Sequence, residues 1–171
     1  PARVINNSIF LQNNHITIDK GSKDGVYKGM GVVGTSGIVG QVIAVSNNFS
    51  SIISVLHGAS LVSSLHKRSG SLCTTAWDGT NPAIADVQYL PRHLTLFRGD
   101  TITTSGFNSI YPSETLIGTI ERMSIADDAT FYEVKIKLST AFSQLAYVYL
   151  ANFKMKNQRD SLEHRQELRY E

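Results

Sequence analysis

The residues able to do chemistry are few and poorly framed for it. A nucleophilic triad needs a serine or cysteine, a base within hydrogen-bond reach and an acid that orients the base. Four histidines, His15, His57, His66 and His93, precede residue 100, and serines are abundant. No serine, however, lies in a Gly-Asp-Ser-Gly or Gly-x-Ser-x-Gly frame, where backbone N–H groups would form an oxyanion hole. Gly99-Asp100 is followed by Thr101 instead. Asp127-Asp128 offers one acidic pair with no further oxygen ligands at cation-binding spacing, which reads as a turn. The single cysteine, Cys73 in SLCTTAW, has no metal-ligand spacing around it and no partner for an internal disulfide, and reads as a buried strand thiol. The residues therefore predict no catalytic set, no metal and no cofactor.

One glycine-rich stretch tests a phosphate-binding reading. Gly29–Val45 reads GMGVVGTSGIVGQVIAV and contains G-x-G-x-x-G at Gly29, Gly31 and Gly34. A dinucleotide loop needs a helix after its glycines, with the helix N-terminus facing the anion. After Gly34 the chain instead runs into β-branched residues, Ile38, Val39, Val42, Ile43 and Val45, which suit a pleated strand. The stretch predicts a strand, a Thr35–Gly37 turn and a second strand bent at Gly40.

The elements that would have to position any site are strands. Runs rich in Val, Ile and Thr recur at Arg3–Ile5, Ile9–Leu11, His15–Asp19, Gly31–Gly34, Ile38–Val45, Ser51–Leu56, Leu61–His66 and Ser71–Trp77. Further runs occur at Ile84–Leu90, Asp100–Thr104, Ile117–Met123, Phe131–Leu138 and Ala146–Ala151. Turns are predicted at Asn13-Asn14, Asp24-Gly25, Asn47-Asn48, Asp78-Gly79 and Asp127-Asp128, residues that tolerate positive φ. Short strands at this spacing indicate a sandwich or barrel. No helix is predicted before residue 152, and the charged tail KMKNQRDSLEHRQELRYE reads as a solvated, partly helical extension. The 171 residues carry a net charge of +2 and 42% apolar residues, with no basic face that would take nucleic acid. No apolar run reaches the ~20 residues of a membrane helix, and the chain opens abruptly on PARVI, as a piece of a longer protein would.

A repeat is visible. VVGTSG followed by IVGQVIAV is matched by TITTSG followed, after the insertion FNSIYPSET, by LIGTIERM. A duplicated β-unit fits two small six-stranded antiparallel barrels. Counting strands assigns residues 15–80 to an inserted barrel, with a simple sequential split near residue 80 as the alternative. Residues 1–14 and 81–152 then form the second, and 153–171 the tail.

These blocks carry a likeness. ARVI at Ala2–Ile5, ITIDKGSKDGVYKGMGVV at Ile16–Val33, GIVGQVIAV, GDTITTSG at Gly99–Gly106, Tyr111-Pro112 and LIGTIERM resemble the MreC family of rod-shape-determining proteins over residues 2–150. The resemblance implies an extracytoplasmic pair of β-barrels anchored in the bacterial cytoplasmic membrane by a helix outside this sequence. It implies no enzymatic role. It implies a scaffold of the elongation machinery that self-associates, binds and activates a class B penicillin-binding protein, and works with MreD and, across the membrane, with MreB. On that reading Gly21, Gly25, Gly31, Gly37 and Gly40, with Gly106 and Gly118 of the second copy, are structural. Loop residues Phe107, Ile110, Tyr111, Phe49 and Tyr27 are the candidate partner anchors, with burial between the barrels as the competing role for each. A trypsin-like hydrolase and a peptidoglycan-binding module are the rival functions.

Overall fold

The computed structural model describes residues 1–153 and 156–168. Its twelve strands are β1 (Ala2–Asn7), β2 (Asn13–Ile18), β3 (Gly31–Val33), β4 (Ile38–Val45), β5 (Ser50–His57), β6 (Leu61–His66), β7 (Ser71–Ala76), β8 (Ile84–Gln88), β9 (Thr101–Thr104), β10 (Leu116–Ser124), β11 (Glu133–Leu138) and β12 (Tyr147–Leu150). They close into two six-stranded antiparallel barrels, β1-β12-β3-β4-β5-β2 and β10-β11-β8-β7-β6-β9. Closure leaves neither sheet with a free edge. One helix, α1 (Lys156–Glu167), comes after the barrels, with no buried residue among those described. No described helix is long and apolar enough to cross a membrane.

Period-2 alternation fills each core. Ile16 and Ile18 of β2, Val134, Ile136 and Leu138 of β11, and Ile102 of β9 all point inward and are buried. The glycine-rich stretch forms the β3–β4 hairpin, with no helix after its glycines, and TITTSG…LIGTIERM forms β9–β10 in the other barrel.

Two predicted details differ. Ile9–Leu11 is a loop, with Phe10 87% exposed. Asn13-Asn14 begins β2 instead of making a turn: the buried Asn14 amide donates to the carbonyls of Leu11 and Leu56, tying the loop to β5.

The partition of strands also differs from the predicted one. The first barrel is β1–β5 plus β12, and the insertion is the second barrel, β6–β11. The ring β3-β4-β5-β2-β1-β12 matches the ring β9-β10-β11-β8-β7-β6 position for position. The chain is thus two tandem six-strand units, β1–β6 and β7–β12, that have exchanged their sixth strands. β6 fills the gap between β7 and β9, and β12 fills the gap between β1 and β3. Strand pairing is non-local, so nothing within β6 or β12 marks which barrel it completes. The predicted partition lets the N-terminal strand complete the later barrel; β1 instead joins the ring of β2–β5 and β12, while β6 and β7 belong to the other.

The barrels meet through the two repeated hairpins. Thr140 donates its hydroxyl to the Ile38 carbonyl at 2.8 Å, and Tyr111 donates its phenol to the Gly40 carbonyl at 2.9 Å. The 106–113 strap leaves barrel two and crosses onto barrel one. Its Ile110 carbonyl sits where any side chain at Gly31 would have to be.

Candidate docking surface

The predicted anchors do not form one surface. Tyr111 is 8% exposed and belongs to the junction core, which corrects its assignment as an accessible contact. Ile110 is half-buried beside it on the same strap. Phe107, Phe49 and Tyr27 are exposed, but Phe107 rims the junction while Tyr27 and Phe49 stand on barrel one. The structural glycines have a clearer basis. A Cβ on Gly21, Gly31, Gly40 or Gly118 would run into neighbouring backbone. Gly25 and Gly106 have left-handed backbone, and a Cβ on Gly37 would meet the Leu116 carbonyl.

A cluster that the sequence hid bears on catalysis. His66 Nδ1 lies 2.7 Å from Ser69 Oγ, and its Nε2 lies 2.9 Å from Asp100 Oδ2. Asp100 also accepts two hydrogen bonds from Arg68 and one from the Phe97 N–H. Desolvation alone would raise its pKa, but the Arg68, Phe97 and His66 hydrogen bonds outweigh burial and hold the carboxyl below its ordinary value. An ionised Asp100 makes Nε2 the donor and leaves Nδ1 to accept the serine hydroxyl. The polarity is that of a triad; the surroundings are not. His66 is fully buried, and Ser69 Oγ accepts the Ser71 N–H within the β6–β7 turn. Neither the groove on barrel two nor the cleft at the barrel junction reaches the cluster. Arg68 lies over the Phe97 ring at 4.9 Å, completing a clamp between that turn and the start of β9. Among the described residues no group of His, Cys, Asp and Glu is placed to hold a metal.

The main surface feature is a groove of about 980 Å³ on barrel two, formed where β8 ends, β11 begins and β10 ends. Its origin is a break in alternation. Val87 points inward and Gln88 outward, so Tyr89 should point in and Leu90 out. Instead Leu90 is fully buried and Tyr89 is 56% exposed. Tyr89 achieves this with φ of 72°, a left-handed backbone that an aromatic residue adopts only under local constraint. The constraint is a set of cross-links to the β10–β11 loop. Tyr132 N–H donates to the Leu90 carbonyl, the Arg92 guanidinium caps the carbonyls of Asp127 and Ala129, and Pro91 bridges Phe131. Tyr89 then packs edge-to-face on the exposed Phe131, with ring centroids 5.6 Å apart.

Charge surrounds this aromatic ridge. Lys135 is held by Asp86 at 2.6 Å and Asp78 at 3.1 Å, and its hydrogen bond to Asp86 is the main reason its pKa is raised. Arg98, Arg122, Glu121 and Glu133 line the groove without a described ion-pair partner. An apolar anchor flanked by charges of both signs suits a protein partner.

Comparison with known proteins agrees with this architecture. The family model "Rod shape-determining protein MreC, barrel core" matches residues 4–152. The cell shape-determining protein MreC of Caulobacter vibrioides is 29% identical over 154 residues, covering 85% of this chain and 44% of that protein. The Escherichia coli MreC is 23% identical over 138 residues, covering 81% and 37%. The chain therefore spans less than half the length of these curated relatives. The crystal structure of MreC from Pseudomonas aeruginosa superposes with a TM-score of 0.80 at 24% identity, covering 88% of this chain and 97% of that one. MreC in a complex with the penicillin-binding protein PBP2 from Helicobacter pylori superposes with a TM-score of 0.63 at 16% identity, covering 82% and 87%.

Proposed function

The chain belongs to the MreC family of rod shape-determining proteins, a structural and not an enzymatic family, and from that premise we propose that it is a docking scaffold for a cell-wall transpeptidase. In this reading the barrels stand on the outer face of the cytoplasmic membrane, held by an anchor outside this sequence. They self-associate, and they bind the class B penicillin-binding protein of the elongation machinery. MreD joins the same assembly, and MreB is reached across the membrane. The Helicobacter pylori relative is described in a complex with PBP2, and another structural neighbour as the periplasmic domain of a filament, which supports this reading.

The observation that carries it is Tyr89. A left-handed backbone costs a non-glycine residue about 1–2 kcal/mol, and here it holds a ring in solvent instead of in the core. Such strain is retained where a surface is used. The scaffold acts by binding one conformation of the transpeptidase more tightly than another, a difference of typically ~1–3 kcal/mol.

Tyr89→Gly separates binding from folding. Glycine accepts the backbone conformation, so the melting temperature should hold or rise. The affinity of the purified class B penicillin-binding protein, titrated by calorimetry, should fall about tenfold or more, as for loss of an aromatic anchor. Unchanged affinity in Tyr89→Gly and in Phe131→Ala would remove the groove from the interface.

A further inference from the structure

We propose that a second cleft, beneath the strap at the barrel junction, is a binding site for a neutral saccharide. The cleft measures about 370 Å³ and is walled by β4 and β5 of barrel one, β6, β7 and β9 of barrel two, and the strap. It lies at the lower end of the ligand-pocket range of about 300–1,000 Å³, a size suited to about one or two sugar rings.

The chemistry of the lining selects the ligand class. None of its lining residues carries a charge. A phosphate, carboxylate or ammonium entering it would lose water and meet no counter-charge. The polar groups are hydroxyls and amides. Among the described side-chain hydrogen bonds, none engages the hydroxyls of Ser60 and Thr74 or the amide of Asn108. Gln41 spends its Nε2 on the Gly29 carbonyl at 3.1 Å, leaving Oε1 as an acceptor. Such groups both donate and accept, which is what the hydroxyl rim of a sugar requires and what an aliphatic ligand does not use.

The apolar part completes the match. Phe107 is 56% exposed at the mouth, and Leu61 is 69% exposed. Gly106 and Asn108 on either side of Phe107 both have positive φ, 78° and 64°, so the strap presents that ring by its backbone shape. A flat aromatic face beside unspent hydroxyls suits a pyranose, which has an apolar C–H face and a polar edge. The site shares no lining residue with the Tyr89 groove and does not depend on it.

The test is a titration of the 171-residue chain, followed by amide NMR, with cellobiose and N,N′-diacetylchitobiose as neutral probes and glucose 6-phosphate as the charged control. The expected result is saturable shifts confined to residues 59–63, 74 and 104–110, with Kd about 1 mM for a small exposed site. Phe107→Ala should weaken binding about tenfold, and the near-isosteric Thr74→Val severalfold. Both positions are at least partly exposed, so both variants should fold, and Tyr89→Gly should bind as the unsubstituted chain does. The assignment is overturned if neither sugar gives saturable shifts, if the shifts lie elsewhere, if both cleft variants bind normally, or if the charged sugar binds equally well.

Discussion

Gly40 and Gly118 hold the same place in the two barrels. Each is the third residue of the second strand of a repeated hairpin, in IVGQ and LIGT. On each, a Cβ would fall inside 3 Å of a carbonyl oxygen of the next strand, Ile53 for Gly40 and Lys137 for Gly118. The barrels curve so tightly there that the neighbouring backbone occupies the side chain's space. That requirement explains why the apolar–apolar–Gly–polar pattern appears in both copies.

Alanine at either position should therefore be costly. The obstacle is backbone and cannot rotate away, so Gly40→Ala or Gly118→Ala should lose on the order of 1–3 kcal/mol. For a chain of this length that is roughly 2–4 °C of melting temperature per kcal/mol. Gly79→Ala is the control. It has φ of 88° with open space around its Cβ, so it carries only the conformational cost of about 1–2 kcal/mol. Equal losses at Gly40 and Gly79 would show that the close approach is not limiting.

Much of this architecture was legible in the sequence because it is local. Ile38–Val45 and Leu61–His66 coincide with β4 and β6; in the first, a β-branched run that ends at Ser46-Asn47-Asn48 records its own limit. Three features were not legible. The exchange of β6 and β12 depends on pairing across the chain. The His66–Asp100 contact joins residues 34 apart. The Tyr89 ridge requires knowing that Leu90 is buried, whereas alternation from Val87 predicts the opposite. Pro91 was the available signal for a break, because proline has no N–H to donate to a ladder and ends a central strand.

The strap should be a stabilising joint and not a partner contact at Tyr111. Tyr111→Phe removes only the hydroxyl that donates to the Gly40 carbonyl, and should cost about 1 kcal/mol. Tyr111→Ala also leaves a cavity and should cost about 3–5 kcal/mol. Chemical denaturation measures both. A Tyr111→Phe variant of full stability that had lost transpeptidase affinity would return this residue to the interface.

Acid should weaken barrel one near its exit. His57 Nδ1 accepts the Ala59 N–H at 2.9 Å, which requires that nitrogen to be unprotonated. His15 stacks on it edge-on at 5.2 Å. Burial first, then the nearby His15, lowers the His57 pKa below 6.5. The unfolded chain therefore binds the proton more readily than the folded one. Stability falls as pH drops below about 6.5 and levels off beneath the depressed value. His57→Asn retains an acceptor and removes the titration, so it should flatten melting temperature between pH 7.5 and 5.5. An unchanged slope would assign the effect to other groups.

The Asp100 clamp should behave as structure. Its carboxyl titrates below the ordinary 3.8, so it contributes stability above that pH which is lost as pH falls through the lower folded value. Asp100→Ala strands the buried His66 Nε2 and the Phe97 N–H, and should cost on the order of 3 kcal/mol. Ser69→Ala removes one hydroxyl from an exposed turn and should cost about 1 kcal/mol or less. A fluorophosphonate probe should label neither the unsubstituted chain nor Ser69→Ala. Labelling at Ser69 that Asp100→Asn abolished would revive the hydrolase reading.

The strand exchange predicts an asymmetry between the two halves when they are separated. Barrel two draws all six strands from one continuous stretch, β6 through β11, so a fragment spanning 60–140 contains every pairing partner its sheet needs. It should fold alone, though less stably. A core of this size gives only ~3–5 kcal/mol, and Tyr111 and Ile110 would lose their seats on barrel one. A fragment spanning 1–58 is different. Without β12, β1 and β3 each expose an unpaired edge, and Ala2 and Val33 lose the partners that pair with them, Val148 and Tyr149. An open five-stranded sheet of that size should remain unfolded or aggregate. Amide NMR dispersion distinguishes the cases. A well-dispersed spectrum from 1–58 alone would mean that β12 is dispensable to its barrel. A collapsed spectrum from 60–140 would mean that barrel two depends on its neighbour for more than the strap's seat.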